Sequence, residues 1–386
     1  MNSSRFSSPS PVAAAALALG LVVLSFIGGY GYGVGIRKKA PDGTTITPGA
    51  TPKPEKSPPE VKGLRAAPND QYVALTAVYD QSRLAARVIV DLKSGTATEA
   101  QSPIGWQDYI TQWSADSRKI LFERERIPRP VADATAGLYA APMASKTGQT
   151  ATPAEPELLT QGVDVPGEKI IAGFWTPKGN LVLKTRREPK SLWEISPNGQ
   201  RLVDRAGVNF QQHRAVIEKG KTVFYTVRDV PGDGGIAALF RVVDGKATRL
   251  SDDLSGALWV YLEERARYMT VCRQGEGGDW QWMVYGVGAQ GAKLLKTATV
   301  PGDIVAVYWS PEGKHILGAG GDSLWIVDVP SLQARRLTSR TDWKADDACW
   351  LNKEEAVLVA ARGVLHKVAL SGATRELWRF SDVYWR

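Results

Sequence analysis

The stretch WSPEGKHIL, residues 309–317, decides the fold because it joins a bulky residue, a polar turn and an apolar run. Similar stretches occur as WSADSRKILF at 113–122, WTPKGNLVL at 175–183 and, in degenerate form, WLNKEEAVL at 350–358. Pro and Gly supply the dihedral angles of a tight turn, and Ile, Leu, Val and Phe favour strands. Each copy predicts a β-hairpin whose first strand ends on a bulky core residue, which we call the anchor.

Three weaker copies of the pattern have Ala66, Val216 and Tyr261 in the anchor position. Together with the four tryptophans they make seven anchors, which are 41 to 62 residues apart. Residues 61–386 divided among seven units give about 47 residues each, a period typical of propeller repeats. This spacing leaves no stretch long enough for a second domain.

Further strands recur inside each unit. SLWEI at 191–195 matches SLWIV at 323–327, and RLS at 249–251 matches RLT at 336–338. Each unit thus holds four short antiparallel strands, which cannot bury both faces of their sheet unless neighbouring units stack around an axis. The sequence predicts an all-β propeller of four-stranded blades; seven blades are favoured, with six or eight left open. Residues 382–385 predict an additional inner strand that helps to close the ring.

The motif WSPEGK, with LWIVD at 324–328 and RRLT at 335–338, resembles the TolB-like family of WD40-like (PD40) propeller repeats. The resemblance covers residues 61–386 and concerns the fold; the chain does not resemble TolB itself, which carries a separate α/β domain ahead of its propeller. The resemblance implies a propeller that binds proteins, glycans or peptides in bacterial envelopes, and it implies no reaction. Propellers of this family also precede the catalytic domain of prolyl-oligopeptidase-like peptidases, so a remnant of such a peptidase is a further interpretation.

The first 60 residues have a different composition. Residues 1–11 form a tail, residues 12–36 are 25 residues without a charge, and residues 37–60 are a Pro-, Thr- and Lys-rich disordered stalk. The apolar segment is long enough to cross a bilayer, and an uncleaved anchor is favoured over a cleaved signal sequence. The basic residues at 37–39 favour a cytoplasmic C-terminus, whereas the stalk favours export. We expect a single-pass membrane protein whose propeller is extracytoplasmic.

Composition excludes several classes of protein. The chain has 386 residues, 43% of them hydrophobic, and only 2 cysteines, so it is neither disordered throughout nor stapled by disulfides. The formal net charge is +8, and no run of Lys or Arg exceeds three residues. The sequence therefore predicts no nucleic-acid partner.

A search for catalytic and metal-binding motifs finds none that supports a reaction. The chain lacks G-x-S-x-G and S-x-x-K, and its histidines, His213, His315 and His366, are isolated. Cys272 and Cys349 fall in different blades and are predicted to be buried free thiols. The Gly-rich acidic stretches 229–235 and 276–279 are read as hairpin turns in preference to calcium sites. The inner strands offer only scattered acids, namely Asp108, Asp303, Asp346 and Asp347. We predict no catalytic, metal or cofactor site; an enzyme is disfavoured but left open.

One regularity predicts a binding surface. An arginine recurs eleven or twelve residues after the anchor in five of the seven blades, where the second strand leaves for the third. We call this predicted set the anionic-partner face; its members are Arg124, Arg126, Arg129, Arg186, Arg187, Lys190, Arg228, Arg273 and Arg362. Acidic residues interleave with it, and a solvated charged rim is the competing interpretation. The sequence thus predicts a membrane-tethered, non-catalytic module that binds a protein or glycan of the cell envelope; the alternative is a channel-centred hydrolase or lyase acting on a saccharide or lactone.

Overall fold

A computed structural model describes residues 58–79, 84–126, 135–143, 155–160, 170–185, 191–205, 210–229, 237–251, 254, 257–275, 279–300, 304–320, 323–339 and 345–380. These residues form seven four-stranded sheets in which each strand pairs antiparallel with its neighbour in sequence. The protein is therefore an all-β, seven-bladed propeller, as the anchor spacing predicts.

The strands follow one another in blade order. Blade 1 contains β1 (Glu60–Ala66), β2 (Tyr72–Tyr79), β3 (Leu84–Asp91) and β4 (Ala97–Gln101). Blade 2 contains β5 (Trp106–Trp113), β6 (Lys119–Arg126), β7 (Thr135–Pro142) and β8 (Glu157–Leu158). Blade 3 contains β9 (Ile170–Trp175), β10 (Leu181–Thr185), β11 (Ser191–Ser196) and β12 (Gly199–Arg205). Blade 4 contains β13 (Phe210–Glu218), β14 (Lys221–Asp229), β15 (Ala237–Val243) and β16 (Lys246–Arg249). Blade 5 contains β17 (Trp259–Leu262), β18 (Tyr268–Gln274), β19 (Trp280–Gly288) and β20 (Gly291–Val300). Blade 6 contains β21 (Ile304–Trp309), β22 (His315–Gly320), β23 (Ser323–Asp328) and β24 (Gln333–Ser339). Blade 7 contains β25 (Ala345–Trp350), β26 (Ala356–Ala361), β27 (Val364–Ala369) and β28 (Thr374–Arg379).

Every anchor lies at or within two residues of the end of an inner strand, so the predicted hairpins are confirmed. The turn that follows requires a left-handed residue four positions after the anchor, or five in blade 5. Glycine occupies this position in blades 3, 4 and 6. In the other blades a non-glycine residue adopts the left-handed conformation, which is strained for it. The left-handed residues, in blade order, are Asp70, Ser117, Gly179, Gly220, Ala266, Gly313 and Glu354.

The anchor tryptophans also join neighbouring blades. The indole Nε1 of Trp113 donates to the carbonyl of Arg65 in blade 1 at 2.9 Å. Trp350 Nε1 donates to the carbonyl of Tyr308 in blade 6 at 3.1 Å. A buried indole keeps its donor satisfied in this way, so each of these side chains fills its own blade and holds the preceding one.

The apolar core lies between the blades. Among the described residues there are seven apolar clusters, and each draws side chains from two adjacent blades. Leu121 of blade 2, for example, packs with Leu181 and Leu183 of blade 3. Because each sheet is covered on both sides, its middle strands read as continuous apolar runs, which is the pattern seen in the sequence.

The ring closes between blades 1 and 7 without exchange of a described strand, because every blade is contiguous in sequence. Leu75 and Val88 of blade 1 pack against Leu358 and Leu365 of blade 7. The Asn352 side-chain amide also donates to the carbonyl of Ala67 at 2.7 Å. The predicted additional strand at 382–385 lies outside the described residues.

The two cysteines are free and buried, as predicted. Burial raises the pKa of both the Cys272 and the Cys349 thiols to about 12. Both sulfurs therefore remain protonated near neutral pH and act as small apolar groups.

No helix able to cross a membrane occurs in the part of the chain that the structure describes. The predicted tail and span, residues 1–36, lie outside that part, as do residues 37–57 of the predicted stalk. Glu60, the last residue of the predicted stalk, is the first residue of β1.

Candidate functional site

The side chain of Arg65 marks the centre of the ring. It lies on β1 and interacts electrostatically with Tyr109 of β5, Tyr308 of β21 and Asp347 of β25. Arg214 of β13 is also within its electrostatic range. These partners belong to blades 2, 4, 6 and 7, and the central channel is the region that the inner strands of all these blades share. We call Arg65, Tyr109, Arg214, Tyr308 and Asp347 the channel cluster.

A bulge in β1 places Arg65 in the channel. The register with β2 shifts between Lys62 and Arg65, and Gly63 within the bulge has a φ of 61°. A Cβ on Gly63 would lie only 2.8 Å from the carbonyl oxygen of Ile110, so the close approach of β1 to β5 requires glycine.

The carboxylate of Asp347 accepts three hydrogen bonds. Its Oδ2 accepts from the backbone N–H of Leu64 at 2.9 Å. Its Oδ1 accepts from the hydroxyl of Tyr308 at 2.7 Å and from the backbone N–H of Ala348 at 2.8 Å. The carboxylate thus holds blades 1, 6 and 7 together, and its lone pairs are largely occupied.

The two channel tyrosines are hydrogen-bond donors near neutral pH. Burial, and next the negative charge of Asp347, raise the pKa of Tyr308 well above its ordinary value. Burial likewise raises the pKa of Tyr109, although the neighbouring Arg65 opposes the shift. Both phenols therefore stay protonated near neutral pH, and the O–H of Tyr308 donates to Asp347.

The two channel arginines differ in how their donors are used. Arg65 donates from Nη1 to the carbonyl of Leu64 at 2.7 Å and from Nε to the carbonyl of Thr111 at 3.3 Å. Arg214 donates from Nη1 to the carbonyl of His213 at 2.9 Å, but its buried Nε has no hydrogen-bond partner in the described parts of the chain. A buried N–H without an acceptor is costly, so this atom favours an acceptor supplied by a ligand.

The described members of the anionic-partner face occupy different environments. Arg124 donates from Nε to Asp108 at 2.7 Å, and Arg87 of blade 1 lies 3.0 Å from the same carboxylate. Asp108 is fully buried, and the Arg87 guanidinium stacks over Phe122 at 4.3 Å. In this blade the recurring arginine forms a buried ion-pair network that joins blades 1 and 2.

Blade 4 repeats this arrangement with different partners. Arg228 donates from Nη1 to Asp204 of blade 3 at 2.6 Å, and its guanidinium stacks over Phe240 at 4.0 Å. Arg273 is half-buried with a buried Nε, and Arg362 is exposed on a turn with a φ of 50°. The side chain of Arg126 and the residues Arg129, Arg186, Arg187 and Lys190 lie outside the described part of the structure. Two members of the predicted face therefore serve contacts between blades, and the face itself stays a prediction.

The remaining sequence candidates lie apart from one another. Asp346 is exposed, and Asp303 and most of the two Gly-rich acidic stretches lie outside the described residues. His213 stacks on Phe174 with ring centroids 4.6 Å apart, and His315 stacks on Trp350 at 5.9 Å. His366 is buried on β27. Within the described ranges, no three His, Cys, Asp or Glu side chains lie close enough together to hold a metal ion.

Sequence analysis named Asp347 but missed the other members of the channel cluster. Arg65 and Tyr308 each immediately precede an anchor, so their position relative to the anchors was a usable signal. Their partners lie in other blades, and spacing along the chain does not show which side chains meet across the channel.

Comparison with known proteins gives a likeness in fold. No protein-family model matches the chain, and no curated protein matches it. A solved structure of Kuenenia stuttgartiensis hydrazine synthase is 11% identical and covers 88% of this chain and 99% of that chain, with a TM-score of 0.50. A provisionally assigned 6-phosphogluconolactonase from Bacteroides uniformis is 14% identical over 79% of this chain and 95% of that chain, with a TM-score of 0.48. Its counterpart from Bacteroides fragilis is 13% identical over 84% of this chain and 95% of that chain, with a TM-score of 0.47.

Proposed function

We propose that this chain is a membrane-tethered, TolB-like propeller that binds a glycan or protein segment of the cell envelope in its central channel, without chemistry of its own. The observation that carries the proposal is the buried Nε of Arg214, which has no hydrogen-bond partner among the described residues. Arg214 lies within electrostatic range of a second guanidinium, that of Arg65, and Arg65 in turn interacts with the two phenols. A ligand rich in oxygen acceptors satisfies such a donor set, and uronate-bearing glycans and acidic peptides are rich in these acceptors.

The hydrogen bonds of Asp347 support binding in preference to catalysis. A general base needs a lone pair directed at the substrate, whereas this carboxylate already accepts from three donors. The channel cluster is thus two arginines and two tyrosines fixed around a carboxylate that is already hydrogen-bonded, and a fixed polar arrangement on rigid strands suits recognition.

A direct test uses the full chain in mild detergent and alginate oligosaccharides as the acidic-glycan probe. Arg65→Gln combined with Arg214→Gln should weaken binding by at least about tenfold, as expected when charge-assisted hydrogen bonds are lost. Arg375→Gln combined with Arg118→Gln removes two positive charges from exposed positions; this double variant is the matched control and should leave binding unchanged. Poly-glutamate is the peptide probe in the same titration. The proposal is contradicted if the wild-type protein binds neither alginate oligosaccharides nor poly-glutamate, or if the control variant loses as much affinity as the channel variant.

The membrane tether and compartment need a separate experiment. Protease added to intact cells should digest an extracytoplasmic propeller and spare one that faces the cytoplasm. A propeller that resists until the cells are lysed contradicts the proposed location and removes envelope glycans from the list of ligands.

The contact between Tyr308 and Asp347 favours one second candidate, a channel-centred hydrolase or lyase on a saccharide or lactone. This pair lies beside Arg65, whose guanidinium can stabilise the negative charge that develops on a leaving oxygen. The rate of hydrolysis of a sugar lactone, measured by acid release, should then fall at least about a hundredfold in Arg65→Gln. Absence of turnover by the wild-type chain removes this candidate.

A further inference from the structure

A basic pocket lies between blades 5 and 6, away from the channel. Its volume is about 470 Å³, and its walls come from the β17–β18 turn, the outer strand β20, the β21–β22 turn and the β23–β24 turn. Four cationic side chains line it, together with Tyr268 and Leu295; the cations are Arg265, Arg267, Lys296 and Lys314. The volume falls within the range of about 300–1,000 Å³ that is typical of small-molecule sites.

Positive charge exceeds negative charge in the basic pocket. Glu312 is the acidic residue of the lining, and it pairs with Lys314 at 2.5 Å. Glu263, which is fully buried beneath the pocket, pairs with Arg267 at 3.2 Å. A third carboxylate, on Glu354, accepts from the backbone N–H of Glu312 at 2.5 Å and interacts electrostatically with Lys314. Four cations against three carboxylates leave an excess of one positive charge, which favours an anionic ligand.

The guanidinium of Arg267 is held in place before any ligand arrives. Its Nη2 donates to Glu263 and to the backbone carbonyl of Glu312, so two turns fix its position. Gly313 has a φ of 70°, and a Cβ there would lie 3.1 Å from Arg267 Nη2. The β21–β22 turn can lie this close to the guanidinium because residue 313 is glycine, which has no Cβ.

Two cations keep donors for a ligand. Arg265 is exposed and forms no ion pair within 4.0 Å among the residues that the structure describes, although Glu312 lies within its electrostatic range. Lys296 donates from Nζ to the carbonyl of Ser331 at 2.9 Å, which leaves two further N–H groups on the ammonium. An arginine fork beside a lysine ammonium is a donor arrangement that suits phosphate oxygens.

The basic pocket also has an apolar part. The ring of Tyr268 stacks on Trp309 with centroids 5.8 Å apart, so its orientation is fixed. Leu295 remains 53% exposed, although large apolar side chains in this ring are mostly buried. A bound molecule that covers Leu295 and the Tyr268 ring gains apolar contact in addition to its charge interactions.

We propose that the basic pocket binds a small phosphate monoester, with the phosphate at Arg265, Arg267 and Lys296 and the organic group against Tyr268 and Leu295. This site is additional to the channel, and it does not depend on the proposed function.

The test is isothermal titration of the full chain in mild detergent with phenyl phosphate, inorganic phosphate and phenol as probes. Phenyl phosphate should bind more tightly than either fragment, because it contacts both parts of the pocket. Arg265→Gln combined with Lys296→Gln should weaken phenyl phosphate binding at least about tenfold. Arg118→Gln combined with Lys353→Gln removes the same charge from exposed turns of blades 2 and 7 and should leave binding unchanged.

Three outcomes would overturn the proposal. One is absence of phenyl phosphate binding by wild-type protein that melts cooperatively. Another is equal weakening in the control variant, which would show general charge attraction. In the third outcome soluble phenyl phosphate does not bind, but the wild-type protein binds vesicles that contain phosphatidic acid. If the pocket variant loses this binding and phosphatidylcholine vesicles do not support it, the site takes a lipid headgroup.

Discussion

The backbone N–H of Leu64 donates to the carboxylate of Asp347 at 2.9 Å, across 283 residues of sequence. The contact joins the first inner strand of the ring to the last. The same carboxylate accepts from Tyr308 in blade 6. The Asp347 side chain therefore contributes both to ring closure and to the geometry of the channel cluster.

We expect Asp347→Asn to lower the free energy of unfolding by about 1–3 kcal/mol, because an amide N–H2 must then face donors that now meet a carboxylate. The measurement is chemical denaturation of the full chain in detergent. Glu157→Gln, an exposed carboxylate on the outer strand β8, is the matched control and should change stability by less than about 0.5 kcal/mol. Equal stability of the two variants would contradict a role for Asp347 in closure.

Asp108 offers a sharper test of electrostatics between blades. It is fully buried between Arg87 and Arg124, so Asp108→Asn leaves two cations without a counter-charge. We expect a loss of about 3–5 kcal/mol.

The network can also be replaced by apolar groups. The triple variant R87M/D108L/R124M removes every charge of the network, and buried ion pairs replaced in this way often cost little. We expect the triple variant to be more stable than Asp108→Asn in the same denaturation experiment. A triple variant as unstable as the single one would show that the three side chains act through their shapes and not through their charges.

The sequence predicted the positions of the hairpins because the physics of each hairpin is local. An anchor, a left-handed turn residue and an apolar strand recur at short range, and even Ala66 could be placed by its turn. The recurring arginines were visible for the same reason.

Contacts between blades were not predictable in this way. Arg228 reaches Asp204 in the preceding blade, and nothing in the spacing of the arginines marks that acid as its partner. The indole donor of Trp113 and the channel contacts of Arg65 likewise depend on how neighbouring blades are rotated. That rotation is set by packing of the interblade clusters, which involves residues far apart in sequence.

Gly63 is predicted to tolerate no side chain. Gly63→Ala should suffer both the cost of an L-residue in the left-handed region, about 1–2 kcal/mol, and a clash with the carbonyl of Ile110. Gly245→Ala is the matched control, because Gly245 has a φ of 76° with open space where its Cβ would lie. We expect thermal unfolding to show Gly63→Ala as the less stable variant by at least about 1 kcal/mol. Equal melting of the two variants would mean that β1 and β5 can separate without cost, which contradicts the packing of the bulge.

His213 should make stability depend on pH. Burial, and next the charges of Lys184 and Arg214, lower the pKa of His213 from 6.5 to about 3. Between these pH values the unfolded chain binds one more proton than the folded chain at this residue, so stability falls as the pH falls. The stability that the neutral His213 ring contributes is fully present above pH 6.5 and is lost as the pH falls towards 3. Over this range the free energy of unfolding changes by at most about 1.4 kcal/mol per pH unit at this residue.

His213→Phe tests this slope because phenylalanine can keep the stack on Phe174, and His213 Nδ1 has no hydrogen-bond partner among the described residues. Denaturation at about pH 7 and about pH 5 should show a smaller loss of stability in the variant than in the wild-type chain, since the variant has no imidazole to protonate on unfolding. NMR titration of the wild-type ring gives an independent reading. If the ring takes up its proton near pH 6.5 in the folded protein and both chains show equal slopes, water reaches His213 and the stack on Phe174 does not shield it.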